Sequence, residues 1–190
     1  MSVKILVFSG SSRAGSVNDR LAGIVARQLQ GMGAEVTYIN LGKFDLPMVN
    51  ADGYGSAAPK AAHDLRAIID EHDGLFIVSP EYNAGYTPLL KNALDWASVA
   101  KPGAPASGLS GKVVALGAVS PGPMGGYRSL TQLRTVLELG FGATLVPEMV
   151  AVGNAGSAFA ESGGLADERT AGFLNATLSK LITMTKKLKA

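Results

Sequence analysis

The chain has no cysteine and only two histidines, His63 and His72. Disulfides, thiolate metal sites and cysteine nucleophiles are therefore excluded, and two histidines without cysteine are too few for a typical zinc site. Charge is also scarce. Only 17% of the 190 residues are charged and the formal net charge is +2, which gives no field for nucleic acid. The Lys180, Lys186, Lys187 and Lys189 cluster reads as the solvated, dipole-favoured end of a last helix. No apolar run approaches the roughly 18 residues of a membrane span, and no charged, apolar and cleavable leader pattern opens the chain. The expectation is a soluble cytoplasmic protein of one domain, residues 1–190.

Apolar residues and glycine are abundant, at 47% hydrophobic and 24 glycines. So much apolar material with so little charge leads us to expect a homo-oligomer that buries part of its surface between subunits. Short apolar runs alternate with helix-period segments. Strands are expected at Val3 to Phe8, Glu35 to Asn40, Leu75 to Ser79, Lys112 to Val119 and Ala143 to Val152. Helices are expected at Val17 to Met32, Pro59 to Glu71, Thr87 (N-cap) onward, around Leu130 to Leu137, and Ala166 to Leu188. Pro147 marks the fifth strand as an edge. Gly42 to Ala58 is long for a loop without structure, which hints at a function. Ala100 to Gly111 reads as a linker. Five strands alternating with helices predict an α/β fold: a doubly wound, five-stranded parallel sheet of order 2-1-3-4-5, the flavodoxin-like arrangement, with helices on both faces.

In that topology a crevice opens at the C-terminal ends of strands one and three. Three loops border it: Ser9 to Asn18, Pro80 to Tyr86 and Ser120 to Gly126. The first runs Gly10-Ser11-Ser12-Arg13-Ala14-Gly15-Ser16-Val17-Asn18 and ends at a helix N-terminus, where a phosphate is held. It lacks the second glycine of a dinucleotide fingerprint. Gly10 and Gly15 have Walker A spacing, but Ser16 stands where that motif needs lysine. One arginine with neutral donors suits a single monophosphate, and we read it as the phosphate of flavin mononucleotide (FMN). Ser16 can cap the helix and still donate its hydroxyl. Ser11, Arg13 and Asn18 are further contacts, and Val17 offers a backbone N–H. The second loop places Glu81, Tyr82 and Asn83 after the most apolar strand, which suits the face and polar edge of a flavin ring. The third loop, which holds Ser120 and Gly122, offers mainly backbone. Trp96 is assigned to packing.

Taken together, Gly10 to Asn18, Ser-Pro-Glu-Tyr-Asn at Ser79 to Asn83, Leu-Lys-Asn-Ala-Leu-Asp-Trp at Leu90 to Trp96, and the Ser120 to Gly126 run resemble the NADPH-dependent FMN reductase family, with its chromate, azo and quinone reductases. The likeness covers nearly the whole chain. It implies tightly bound FMN, NAD(P)H as cosubstrate, and dimers that pair into tetramers. It implies that Ser11, Arg13, Ser16, Val17 and Asn18 hold the phosphate, and that Pro80, Glu81, Tyr82, Asn83 and Ser120 border the ring. Ala84 stands where some relatives carry a second aromatic. Flavin N5 then carries the chemistry, and no side chain is assigned as catalytic. The rival is a flavodoxin-like electron carrier; carriers are usually strongly acidic, and the +2 charge counts against it. Arg128 is expected either to meet a 2′-phosphate or to pair with Glu148 across a subunit contact.

Overall fold

A computed structural model describes residues 2–101 and 108–189. The strands are β1 (Lys4–Ser9), β2 (Glu35–Asn40), β3 (Gly74–Val78), β4 (Val113–Val119) and β5 (Thr144–Val152). The helices are α1 (Val17–Gly31), α2 (Lys60–Asp70), α3 (Pro88–Val99), α4 (Tyr127–Thr135) and α5 (Glu168–Lys189). The strands form one parallel sheet in the order β2-β1-β3-β4-β5, as the alternation predicts.

Strand periodicity divides the core in two. Ile5, Val7, Phe76, Val78, Val113 and Ala115 meet Leu21, Val25 and Leu29 of α1 and Leu174, Leu178 and Leu181 of α5. Leu6, Phe8, Leu75, Ile77, Val114 and Leu116 face the opposite way. They meet Leu65 and Ile69 of α2, Leu90 and Leu94 of α3, and Leu130 and Leu133 of α4. Every residue of β3 and β4 is buried because both faces are covered, which is why these strands read as unbroken apolar runs. β5 is the edge. Its register against β4 shifts between Val114 and Leu116, where Pro147 has no N–H to give a ladder. Arg134 Nη1 donates to the Val146 carbonyl (3.0 Å) in the same stretch.

Two stretches differ from the pattern. Helix α4 widens into a π turn over Val136–Gly140, which keeps Leu137 in the core and sends Leu139 to solvent. The segment from Gly42 to Ala58 is built of 3₁₀ turns, including Ala51–Gly53 and Gly55–Ala57, and is pinned to α3. Asn92 accepts from Val49 N (2.8 Å) and donates to the Pro47 carbonyl (2.9 Å), which also accepts from Trp96 Nε1 (2.6 Å). A Cβ on Gly53 would stand 2.8 Å from the Trp96 ring. The length of this loop thus covers the buried Trp96, whose packing role matches expectation. Most of the predicted linker, residues 102–107, lies outside the described residues.

Asn92→Ala leaves the Val49 N–H without its acceptor in a part-buried seam and takes one of two donors from the Pro47 carbonyl. It is expected to lower unfolding free energy by about 1–3 kcal/mol, read as a lower urea midpoint at unchanged m-value.

Candidate functional site

The chain leaves β1 toward β2 and leaves β3 toward β4, in opposite directions along the sheet. The loops after β1 and β3 therefore diverge and leave a crevice. The first loop starts with two hydrogen bonds. Gly10 N donates to the Val78 carbonyl at the end of β3 (2.8 Å), and its own carbonyl accepts from Thr87 Oγ1 (2.6 Å). A Cβ on Gly10 would lie 2.9 Å from Leu90 Cβ, so only glycine lets α3 come this close. Thr87 is the N-cap of α3 and Pro88 its first residue, as the sequence indicates.

The loop then winds into α1. Ser11 Oγ accepts from Arg13 N (3.3 Å), and Ser16 N donates to the Arg13 carbonyl (3.2 Å) across Gly15, whose φ is +68°. Ser16 caps α1, accepting from Asn18 N (3.2 Å) and Asp19 N (3.4 Å). The backbone N–H groups of Ser12, Ala14, Gly15 and Val17 have no acceptor among the described residues. Arg13 is exposed and has no carboxylate partner among them. Donors without acceptors, a helix N-terminus and an unpaired guanidinium form a cradle for a dianion.

This cradle is one end of a cleft of about 180 Å³. All five first-loop candidates, Ser11, Arg13, Ser16, Val17 and Asn18, line it. Pro80, Glu81 and Tyr82 line it from the second loop and Ser120 from the third. Asn83 and Gly122 are not in the lining. Asn83 sits at the tip of a two-residue hairpin in which Tyr82 and Gly85 exchange backbone hydrogen bonds of 2.9 Å each. Asn83 and Ala84 take φ of +50° and +65° there. Asparagine tolerates that region; alanine is strained in it. The Gly122 carbonyl accepts from Gly125 N (3.2 Å) and Asn154 N (3.4 Å), which turns this residue to its own loop.

Three side chains do something other than the sequence suggests. Asn18, only 4% exposed, uses its amide on the backbone of Val119, donating to the carbonyl (3.0 Å) and accepting from the N–H (2.8 Å). It stitches α1 to the end of β4 and keeps only its second amide N–H for a ligand. Glu81 accepts from Arg128 Nε (2.8 Å) and Ser129 N (3.3 Å), so its carboxylate faces α4. Within the chain Arg128 pairs with Glu81, and Glu148 pairs with Lys180.

Sequence reasoning missed Val119, Pro121 and Ala155, which also line the cleft. Ala155 arrives because β5 pairs with β4 and its N–H donates to the Ser120 carbonyl (3.1 Å). The available signal was topological: the loop after β5 leaves the same sheet end as the other three.

The residues fit the phosphate end of FMN. Arg13→Ala is expected to weaken FMN binding by about 1.5–3 kcal/mol while leaving affinity for riboflavin, which lacks the phosphate, unchanged. Fluorescence titration with the two flavins checks this.

Comparison with known proteins agrees with this geometry. The chain is 33% identical over 189 residues to an NAD(P)H-dependent FMN reductase of Pseudomonas aeruginosa, covering 98% of this chain and 97% of that one. It is 33% identical over 187 residues to a quinone reductase of Pseudomonas putida, covering 98% and 96%. Among solved structures, FerB, a flavoenzyme NAD(P)H:(acceptor) oxidoreductase from Paracoccus denitrificans, superposes with a TM-score of 0.79 at 28% identity, covering 97% of this chain and 98% of that one. Residues 3–157, which span β1 to the Ala155 loop and so every wall of the cleft, match the model of the NADPH-dependent FMN reductases, and the chain belongs to that family.

Proposed function

We propose that this protein is an FMN-containing NAD(P)H oxidoreductase that reduces quinones and related acceptors by ping-pong turnover. The observation that carries the reading is the cradle of unpartnered N–H groups and unpaired Arg13 at the N-terminus of α1, at one end of a cleft walled by three further loops. The chemistry that bound FMN supplies is hydride acceptance at N5 and onward transfer of electrons.

The chain's own part is to bind and to orient. Ser16 Oγ, already accepting from two helix N–H groups, has its proton free to donate to the phosphate. Arg13 offers a charge-assisted bond. Pro80, Tyr82 and the Ser120 loop form the apolar and backbone walls further along the cleft. Tyr82, in the cleft lining, is 55% exposed. So open a mouth does not select strongly among acceptors. Quinones, azo and nitro compounds, ferric chelates and chromate are the proposed range. No side chain needs to supply or remove a proton, so the donor and the acceptor can use the same face in turn.

The relative reported as a quinone reductase supports a quinone as one acceptor here too. Dependence on NAD(P)H supports a cytoplasmic location. Among the described residues no helix is long and apolar enough to cross a membrane. A homodimer or homotetramer belongs to the same proposal. Its support is the groove between α3 and α4, where Leu139 is left 84% exposed.

The purified protein is expected to carry a yellow flavin spectrum and to oxidise NADH or NADPH steadily when a benzoquinone is added. In double-reciprocal plots at several quinone concentrations, ping-pong turnover yields parallel lines. A flavin-loaded protein that oxidises neither nucleotide with any acceptor would be an electron carrier, and the enzymatic reading would fail. Light scattering on the eluting protein is expected to report two or four times 19.5 kDa.

A further inference from the structure

Helix α4 begins without a cap of its own. Its N-cap position is Gly126, which has no side chain and takes φ +88°. A Cβ there would stand 2.6 Å from Ala118 Cβ, so glycine is required and a capping serine or aspartate is barred. Ser129 N donates to the Gly126 carbonyl (3.1 Å), and a side-chain acceptor for the same N–H comes from another loop. Glu81, in the turn after β3, places Oε2 on the N–H of Ser129, the third residue of α4 (3.3 Å), and Oε1 on the Arg128 guanidinium (2.8 Å to Nε). The Glu81 side chain is only 8% exposed whereas Arg128 is 62% exposed. Burial decides the division of labour. The exposed cation adds little through an ion pair, while the buried carboxylate gives a first-turn N–H a second acceptor beside the Gly126 carbonyl and meets the positive end of the helix.

A second contact ties the same two elements. Gln132, four residues beyond Arg128 and so on the same side of α4, donates from Nε2 to the Ala84 carbonyl (3.0 Å). Ala84 is one of the two left-handed residues of the Tyr82–Gly85 hairpin. The strained hairpin is thus held at its base by Glu81 and at its tip by Gln132. Between them lies Tyr82, which lines the cleft.

We propose that Glu81 is a positioning residue. By capping α4 across the loop boundary, it sets the Pro80–Tyr82 wall of the cleft at the end away from the phosphate cradle. This rests on the flavin reading above. It assigns the Glu81 carboxylate to the protein and not to the ring or the substrate, and it predicts that the clamp governs the ring end of the ligand while Arg13 governs the phosphate end.

The two ends are separable because riboflavin has the ring and no phosphate. In Glu81→Ala, affinity for FMN and for riboflavin should fall by the same factor, about tenfold. The visible absorption and circular dichroism bands of flavin bound at saturation should shift. Glu81→Gln keeps an oxygen that can accept from Ser129 N and loses only the exposed ion pair, so it should restore both affinity and spectrum almost fully. Gln132→Ala, which breaks the second strut on an exposed helix face, should shift the spectrum in the same direction to a smaller degree. The proposal is overturned if Glu81→Ala binds both flavins with wild-type affinity and spectrum. It is also overturned if that variant loses affinity for FMN alone, or if Glu81→Gln is as impaired as Glu81→Ala. Should Glu81→Ala fail to fold, the Gln132→Ala spectrum decides alone, and an unchanged spectrum overturns the clamp. A wild-type protein that binds neither flavin overturns the flavin reading itself, and the positioning role falls with it.

Discussion

The hydroxyl of Thr87 is where the site is built. It donates to the carbonyl of Gly10 and accepts from Leu90 N, so one atom ends the first turn of the phosphate loop and starts α3. Gly10 N meanwhile bonds to Val78, the last residue of β3. Three elements far apart in sequence meet there with no room for a Cβ. A buried hydroxyl with both its donor and an acceptor satisfied costs little, whereas either backbone partner left alone would cost about 1–3 kcal/mol. The position of the cradle relative to the sheet is therefore well determined.

The same device recurs around the cleft. Asn18 ties α1 to Val119, Glu81 ties the β3 turn to α4, and Ala155 N ties the β5 loop to Ser120. Side chains in this site are largely spent on holding loops together, which leaves backbone N–H groups and one arginine for a ligand. This suits a protein whose cofactor performs the redox step, since the protein's task is placement and electrostatics. It also explains why loops so rich in glycine hold a defined shape: each is fastened by a buried polar contact to a neighbour. The strain of Ala84 persists for the same reason, because contacts at both ends of its hairpin over-determine it.

Much of this was legible in the residues. Strand and helix positions follow from apolar period, and the strand order follows from alternation with the handedness of crossover connections. The crevice follows from that order, and the Ser16, Thr87 and Pro88 caps follow from local chemistry. Other features depend on which loop lies beside which. That the Glu81 carboxylate turns to Ser129 and Arg128 is visible only once the β3 loop is found beside α4. The segment from Gly42 to Ala58 reads as a functional loop until Trp96 and Asn92 prove to be what it covers. The Ala155 wall carries no side-chain chemistry, so only its place in the sheet reveals it.

By itself, then, the order of residue types determined the parallel sheet, the cradle at its switch point and the exclusion of dinucleotide and triphosphate motifs. These rest on interactions within a few residues, or on a periodicity that repeats along the chain. Tertiary structure alone decided the partners of Glu81, Asn18 and Arg128 and the fourth wall of the cleft. Their contacts join residues about 50 to 100 positions apart, and long, mobile polar side chains carry no periodic mark of the neighbour they will meet.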